Sequence, residues 1–264
     1  MDEYHEEYSI PATSDSPSHI IYLLDASGTM GNDLDGRPRA RWLEEALEYA
    51  LDNMIDRSLK GADVYRPRYR IAVITYSNNV DDSLTGGKFV DVKEFWDAGM
   101  PELKPDGQTN TKAAFERAYQ LLVDLLKEPE VQKDCPAPLV CHVTDGEYNV
   151  GGTPTPVVDK IKGLRNRDGF VLVQNLFISD DLLNSPIRDV NSWPGFMPGD
   201  AATAFKNTYA RTLFDMSSSL PDSYASVLAD EGFRLKPGSR MMYPGQNFDL
   251  IRLAFAASMS TEFR

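Results

Sequence analysis

Cysteine is nearly missing from this chain, with Cys135 and Cys141 the only two in 264 residues. A disulfide framework is therefore not indicated, and Cys141, inside an apolar run, reads as a buried thiol. Long apolar runs are missing too. No stretch approaches the roughly 20 residues of a membrane-spanning helix, so no membrane association is expected. Basic residues are missing from the first 36 positions, which hold eight acids (Asp2, Glu3, Glu6, Glu7, Asp15, Asp25, Asp33 and Asp35) in a chain of net charge −13. Such a chain is repelled by phosphate backbones, so nucleic acid is not an expected partner. The first 18 residues lack the basic start and apolar centre of a signal peptide. Polar and rich in Ser and Pro, they read as a flexible acidic tail, and the expected compartment is the cytoplasm.

Several catalytic signatures are also missing. There is no Gly-x-x-x-x-Gly-Lys-Ser/Thr loop for nucleotide phosphates and no Gly-x-Ser-x-Gly elbow. The three histidines, His5, His19 and His142, do not have zinc-ligand spacing. His142 sits in an apolar run and reads as a packed or hydrogen-bonded residue.

What is present alternates between two patterns. Ile20 to Leu24, Arg70 to Tyr76, Leu139 to Thr144 and Phe170 to Ile178 read as buried strands, with Lys88 to Val90 a short further one. Between them, Leu43, Leu47, Leu51, Met54, Ile55 and Leu59 recur at helical spacing over residues 39 to 59. Phe115, Ala118, Leu122, Leu125 and Leu126 mark a second helix from about Thr111. Pro154 opens a third, carrying Val157, Val158, Ile161 and Leu164 inward. Residues 179 to 204 form a loop insertion with Trp193, Phe196 and Met197, a length that is often functional. Trp193 and Phe196 fit either a partner-binding patch or a cover for the sheet edge. Further helical segments are expected near 205–216, 222–231 and 249–259. The order predicts a Rossmann-like α/β fold: one doubly wound, mostly parallel sheet flanked by helices, over residues 19–264. Ligands of such sheets bind beyond the carboxyl ends of the strands.

Two acids lie at such ends. Asp25 closes the first strand and is followed by Ser27 and Thr29, three oxygen side chains in one Gly-containing loop, a set suited to hard cations. Asp145 follows the strand Leu139 to Thr144. Taken singly, these residues have ordinary readings: an Asx turn for Asp25, loop hydroxyls for Ser27 and Thr29, a helix cap for Thr109, a turn for Asp145 before Gly146. Asp33, Asp35 and Glu147 read as solvated acids. Tyr148 and Asn149 fit partner contact and loop packing equally.

Together these segments resemble the von Willebrand factor A (vWA) family, whose metal-ion-dependent adhesion site has three parts. Asp25-Ala26-Ser27-Gly28-Thr29 matches its Asp-x-Ser-x-Ser loop, with Thr in the last place keeping the hydroxyl. Thr109 in Gly107-Gln108-Thr109-Asn110-Thr111 matches its Thr loop, with Thr111 as the expected helix cap. Asp145-Gly146 matches its closing Asp. The resemblance implies a Mg²⁺-type ion, with Mn²⁺ or Ca²⁺ as alternatives, held by Asp25, Ser27, Thr29, Thr109 and Asp145. It implies a non-catalytic module whose ion takes an acidic residue of a protein partner. Intracellular bacterial or phage-related relatives act as scaffolds beside MoxR-type AAA ATPases, or with a kinase and phosphatase in tellurite-resistance systems. The segment Leu235 to Met242 resembles the latter group. The competing enzyme reading is a haloacid-dehalogenase phosphohydrolase, which also begins with a strand and Asp-x-Asp-x-Thr. Ser27 stands where its second Asp, the general acid, belongs. A third reading is a structural interaction protein whose metal site is vestigial.

Overall fold

The structure is a computed structural model and describes residues 7–59, 64–179 and 182–262. In chain order, β1 is Ser18–Asp25, followed by a small hairpin of β2 (Asp33–Leu34) and β3 (Arg37–Pro38). Helix α1 (Arg39–Leu59) leads to β4 (Tyr69–Tyr76), β5 (Val80–Asp81), β6 (Val90–Asp91) and α2 (Val92–Ala98). Next come α3 (Thr111–Leu125), α4 (Pro129–Lys133), β7 (Leu139–Thr144), α5 (Thr155–Lys162) and β8 (Leu172–Phe177). The last part holds α6 (Ala201–Ala204), α7 (Thr208–Met216), α8 (Asp222–Asp230), β9 (Met242–Pro244) and α9 (Phe248–Ser258).

Strand order in the main sheet is β5-β4-β1-β7-β8-β9. β1 is parallel to β4 on one side and to β7 on the other. Every residue of β1, β7 and β8 is buried, as expected of parallel strands covered on both faces. Helices α1 and α9 pack together on one face, while α3, α5 and α7 pack in succession on the other. The chain visits β4 after β1 and then returns to β1's far side with β7. The carboxyl ends of β1 and β7 thus border the point where strand order reverses.

The fold is therefore the predicted α/β one, with differences at its margins. The expected strand Lys88 to Val90 is β6, which pairs antiparallel to β4 through Val90 and Asp91. β9 carries no period of its own. It forms because the edge of β8 would otherwise expose unpaired backbone groups. The predicted cap Thr111 is instead the first residue of α3. Asn110 caps the helix, its side chain accepting from the Ala113 N–H at 3.3 Å.

The expectation of a loose tail over residues 1–18 gives way for the part described. The Asp168 carboxylate accepts from the N–H groups of Ser9 and Ile10 at 2.9 and 2.8 Å. Ala12 is fully buried, and its N–H donates to the Glu262 carbonyl at 2.6 Å. Acidic composition did not prevent ordering, because the backbone N–H groups of this segment find buried acceptors. Residues 1–6 lie outside the described residues.

Within the predicted 179–204 insertion, Trp193 and Phe196 are 9% and 7% exposed. Trp193 meets Phe196 edge-on at 4.9 Å and Tyr243 of β9 at 6.4 Å. Phe196 in turn packs on Phe205 at 4.8 Å. These aromatics cover the β9 edge of the sheet. Cys135 and Cys141 are both free and buried. Among the described residues, no helix is long and apolar enough to cross a membrane.

Candidate metal centre

Three loops meet at the carboxyl ends of β1 and β7. The pairing of Leu24 with Val143 sets Asp25 and Thr144 side by side as the two strands end. Asp25 is fully buried. One of its carboxylate oxygens accepts from the Ser27 N–H at 2.8 Å, and the other accepts from the Thr144 hydroxyl at 2.6 Å. Burial pushes the Asp25 carboxyl up to about 6; hydrogen bonds from Ser27 and Thr144 oppose that rise, and the charge of Asp145 adds to it.

Ser27 begins a single 3₁₀ turn, Gly28–Gly31, that folds the hydroxyls of Ser27 and Thr29 to within 3.2 Å of each other. The Thr29 hydroxyl donates to Asp145 Oδ1 at 2.7 Å. Asp25, Ser27, Thr29 and Asp145 are thus joined into one oxygen cluster, with Thr144 as the bridge on its buried side.

Thr109 arrives on the third loop. The Gly28 N–H donates to the Gly107 carbonyl at 3.1 Å, and the Asp106 N–H donates to the Ala26 carbonyl at 2.9 Å. Gly107 has φ +76°, and a Cβ there would sit 2.7 Å from Asn78 Nδ2. Asn149 closes the ring: its Oδ1 accepts from the Thr109 N–H at 2.9 Å, and its N–H donates to the Thr109 carbonyl at 3.2 Å. Asn149 thus serves loop packing, and Thr109 is 3% exposed beneath it. Tyr148 packs edge-on against Tyr209 of α7 at 5.7 Å. Asp33, Asp35 and Glu147 are exposed, as solvated acids should be.

Two participants have no signature in the sequence. Thr144 looks like one more strand residue. Arg39, the first residue of α1, places Nη1 2.8 Å from Asp145 Oδ2. Its neighbours Arg37 and Arg41 pair instead with Glu45 and Glu44, so the spacing of the three arginines does not single it out.

The donor set is chemically coherent. Among the described residues, no group of three or more His, Cys, Asp or Glu is placed to hold a metal. This cluster instead combines the carboxylates of Asp25 and Asp145 with the hydroxyls of Ser27 and Thr29, and the loop that carries Thr109 is bonded to it through Gly28 and Gly107. Such all-oxygen ligation suits Mg²⁺, Mn²⁺ or Ca²⁺ and not softer ions. Two buried carboxylates facing one space also repel unless a cation stands between or beside them. Arg39 offsets one of the two. A phosphohydrolase would need a second carboxyl in the Asp25 loop, and Ser27 offers none.

His142 does not join the cluster. It lies in the core, accepting from the Tyr76 hydroxyl at Nε2 (2.7 Å) and donating from Nδ1 to Asn175 Oδ1 (2.8 Å). That tautomer follows from Asn175 Nδ2, which already donates to Ser217 Oγ at 2.9 Å. His142 is the hydrogen-bonded core residue expected of it.

Solved structures share this arrangement of sheet and helices. The chain is similar to proximal thread matrix protein 1 from the mussel byssus (TM-score 0.53, 15% identity) over 93% of its own length and 48% of that chain. It is similar to the pilus adhesin SpaC from Lactobacillus rhamnosus GG (TM-score 0.55, 11% identity) over 93% of its length and 30% of that chain. The von Willebrand factor type A structure from Catenulispora acidiphila matches at a TM-score of 0.43 and 15% identity, over 67% and 39% of the two chains. These likenesses bear on the fold alone: one mostly parallel sheet flanked by helices. The chain spans less than half the length of each of these structures. No family model matches the sequence, and no curated protein does. In this sheet the oxygen cluster lies at the carboxyl ends of β1 and β7, beside the point where strand order reverses and where open α/β folds bind their ligands. A depression of about 400 Å³ adjoins it, lined in part by Ala26, Tyr76, Ser77 and Leu103.

Proposed function

We propose that this chain is a metal-dependent protein-interaction module. In this reading Asp25, Ser27, Thr29, Thr109 and Asp145 hold a Mg²⁺-type ion, and a carboxylate of a protein partner completes its coordination. One observation carries it: the hydrogen-bonded oxygen cluster in which Thr29 bonds Asp145 at 2.7 Å and Ser27 lies 3.2 Å from Thr29. The bound ion supplies Lewis acidity toward an incoming carboxylate oxygen. The chain's own residues do the rest. Ser27 and Thr29 present neutral hydroxyls, which leave more of the ion's charge available to the partner than carboxylates would. Asp25 and Asp145 supply the negative charge that retains a divalent ion.

The role is binding rather than catalysis, since the loop has no general acid. We take the setting to be a cytoplasmic scaffold in a bacterial or phage-related complex, with an AAA ATPase or a kinase and phosphatase as candidate partners. Two free, buried thiols support a reducing compartment.

The test is calorimetric titration of Mg²⁺ and Mn²⁺ into EDTA-treated protein. Saturable binding is expected, weakened at least about tenfold by Asp25→Ala and by Thr109→Ala. Absence of binding at millimolar metal would remove the proposal. Partner capture from a lysate is expected to be lost in EDTA, and capture of every partner regardless of EDTA would count against it.

A further inference from the structure

Arg39 is placed where a cation gains nothing from its own helix. It is the first residue of α1, the end at which the helix dipole is positive. Its N–H is tied to the Asn32 carbonyl at 2.9 Å, which fixes the start of the side chain. The guanidinium is held instead by Asp145, with Nη1 2.8 Å from Oδ2. The Arg39 side chain is 14% exposed and that of Asp145 is 0% exposed, so water screens the pair weakly. The other Asp145 oxygen already accepts from Thr29. Both oxygens of this carboxylate are thus engaged, one of them by a charge that does not titrate.

We propose that Arg39 is a tethered cation that stands in for the divalent ion in the metal-free site and sets the affinity with which that ion binds. This rests on the metal reading above and adds the residue that regulates it. With no ion present, Arg39 neutralises Asp145 and keeps the Thr29–Asp145 bond in place, so the loops stay assembled. An incoming ion shares or takes over the carboxylate against the repulsion of a fixed positive charge. The site therefore trades affinity for order in the empty state. It responds to divalent ions, whose charge outweighs the guanidinium's, and not to monovalent ones.

The experiment is a calorimetric Mn²⁺ titration of EDTA-treated wild type, Arg39→Gln and Arg39→Lys, with thermal unfolding of each with and without Mn²⁺. Arg39→Gln is expected to tighten Mn²⁺ binding by about tenfold or more. It should also melt lower than wild type without metal and recover most of that loss with Mn²⁺. Arg39→Lys keeps the charge and is expected to stay within about threefold of wild type. Should Arg39→Gln not fold, the wild type carries the test by nuclear magnetic resonance. Its Arg39 Nε–H signal, assigned by its loss in Arg39→Lys, shifts on saturation with Mg²⁺ if the ion contests Asp145. Wild-type binding with Arg39→Gln no tighter, or an Arg39 signal unmoved by saturating Mg²⁺, overturns the role of Arg39 and leaves the metal site standing. No Mn²⁺ binding by any of the three proteins removes both.

Discussion

Thr144 donates its hydroxyl to Asp25 across the seam between β7 and β1, at 2.6 Å. The two residues are 119 positions apart in the chain. This bond fixes the rotamer of the buried carboxylate on which the loop from Ala26 to Thr29 is built. Replacing Thr144 by Val keeps the shape and removes the donor. A buried carboxylate that loses one partner costs roughly 1–3 kcal/mol. Urea unfolding of the metal-free protein should show that loss for Thr144→Val. An unchanged midpoint would mean that the Ser27 N–H suffices to hold Asp25.

Gly107 sets the loop that carries Thr109 and bonds that loop to Gly28 beside the cluster. Its φ of +76° is strained for any residue with a Cβ, and the Cβ would press on Asn78. Gly107→Ala is expected to cost about 1–3 kcal/mol and to weaken Mn²⁺ binding, because the loop shifts away from Gly28. Thermal unfolding and metal titration check this together. A stable variant with wild-type affinity would show that the loop tolerates displacement.

His142 gives the core a pH dependence of defined sign. Burial pushes its pKa down to about 4, with the Asn175 contact opposing that shift. In the unfolded chain the ring titrates near its ordinary value of 6.5. Between these values the unfolded state binds the proton and the folded state does not, so stability falls as pH drops from about 6.5 toward 4. The contribution is on the order of 3 kcal/mol. His19, buried and lowered to about 3, acts in the same direction. Asp25, raised to about 6 in the metal-free protein, acts oppositely below that pH. Comparing His142→Gln with wild type isolates the histidine term. The variant's melting temperature should fall less steeply with acid, and parallel curves would assign the acid sensitivity elsewhere.

Asp168 anchors the N-terminal segment. Its carboxylate accepts from the N–H groups of Ser9, Ile10 and Ala137, the last at 2.9 Å. Asp168→Ala leaves these donors without that acceptor, at a cost of roughly 3 kcal/mol. Amide hydrogen exchange at Ser9 and Ile10 should rise toward unprotected rates while the β1 and β7 amides stay protected. Equal protection in the variant would show that backbone bonds suffice to hold the segment: Tyr8 N–H to the Asp168 carbonyl at 2.8 Å and Ala12 N–H to the Glu262 carbonyl.

Much of this arrangement is legible in one dimension because its signals are local. The apolar run ending at Asp25, the helical spacing of Leu43 to Leu59 and the run Leu139 to Thr144 each follow from burial on a two-sided sheet or a helix face. Their order alone implies the crossovers and the strand ends at which Asp25 and Asp145 stand. The same locality explains what is not legible. β9 and the seating of residues 8–12 have no period, because each is decided by an edge or acceptor supplied from elsewhere in the chain. Thr111 looked like a cap because Thr is a good one, but Asn110 stands one position earlier and its side chain reaches Ala113.

The sequence by itself determined the alternation of strands and helices, and with it the edge of the sheet on which five oxygen-bearing residues fall. Hydrophobic periodicity and turn chemistry are enough for that, since both act over a few residues. Only the tertiary structure decided how those residues are held. It paired Asp25 with Thr144, linked the Thr109 loop to Asn149, and set the Arg39 guanidinium on Asp145 in place of any of the other nearby arginines. These choices depend on which side chains share a buried space after the chain has folded. There, an unscreened charge or an unsatisfied hydrogen bond is costly enough to select one partner among many.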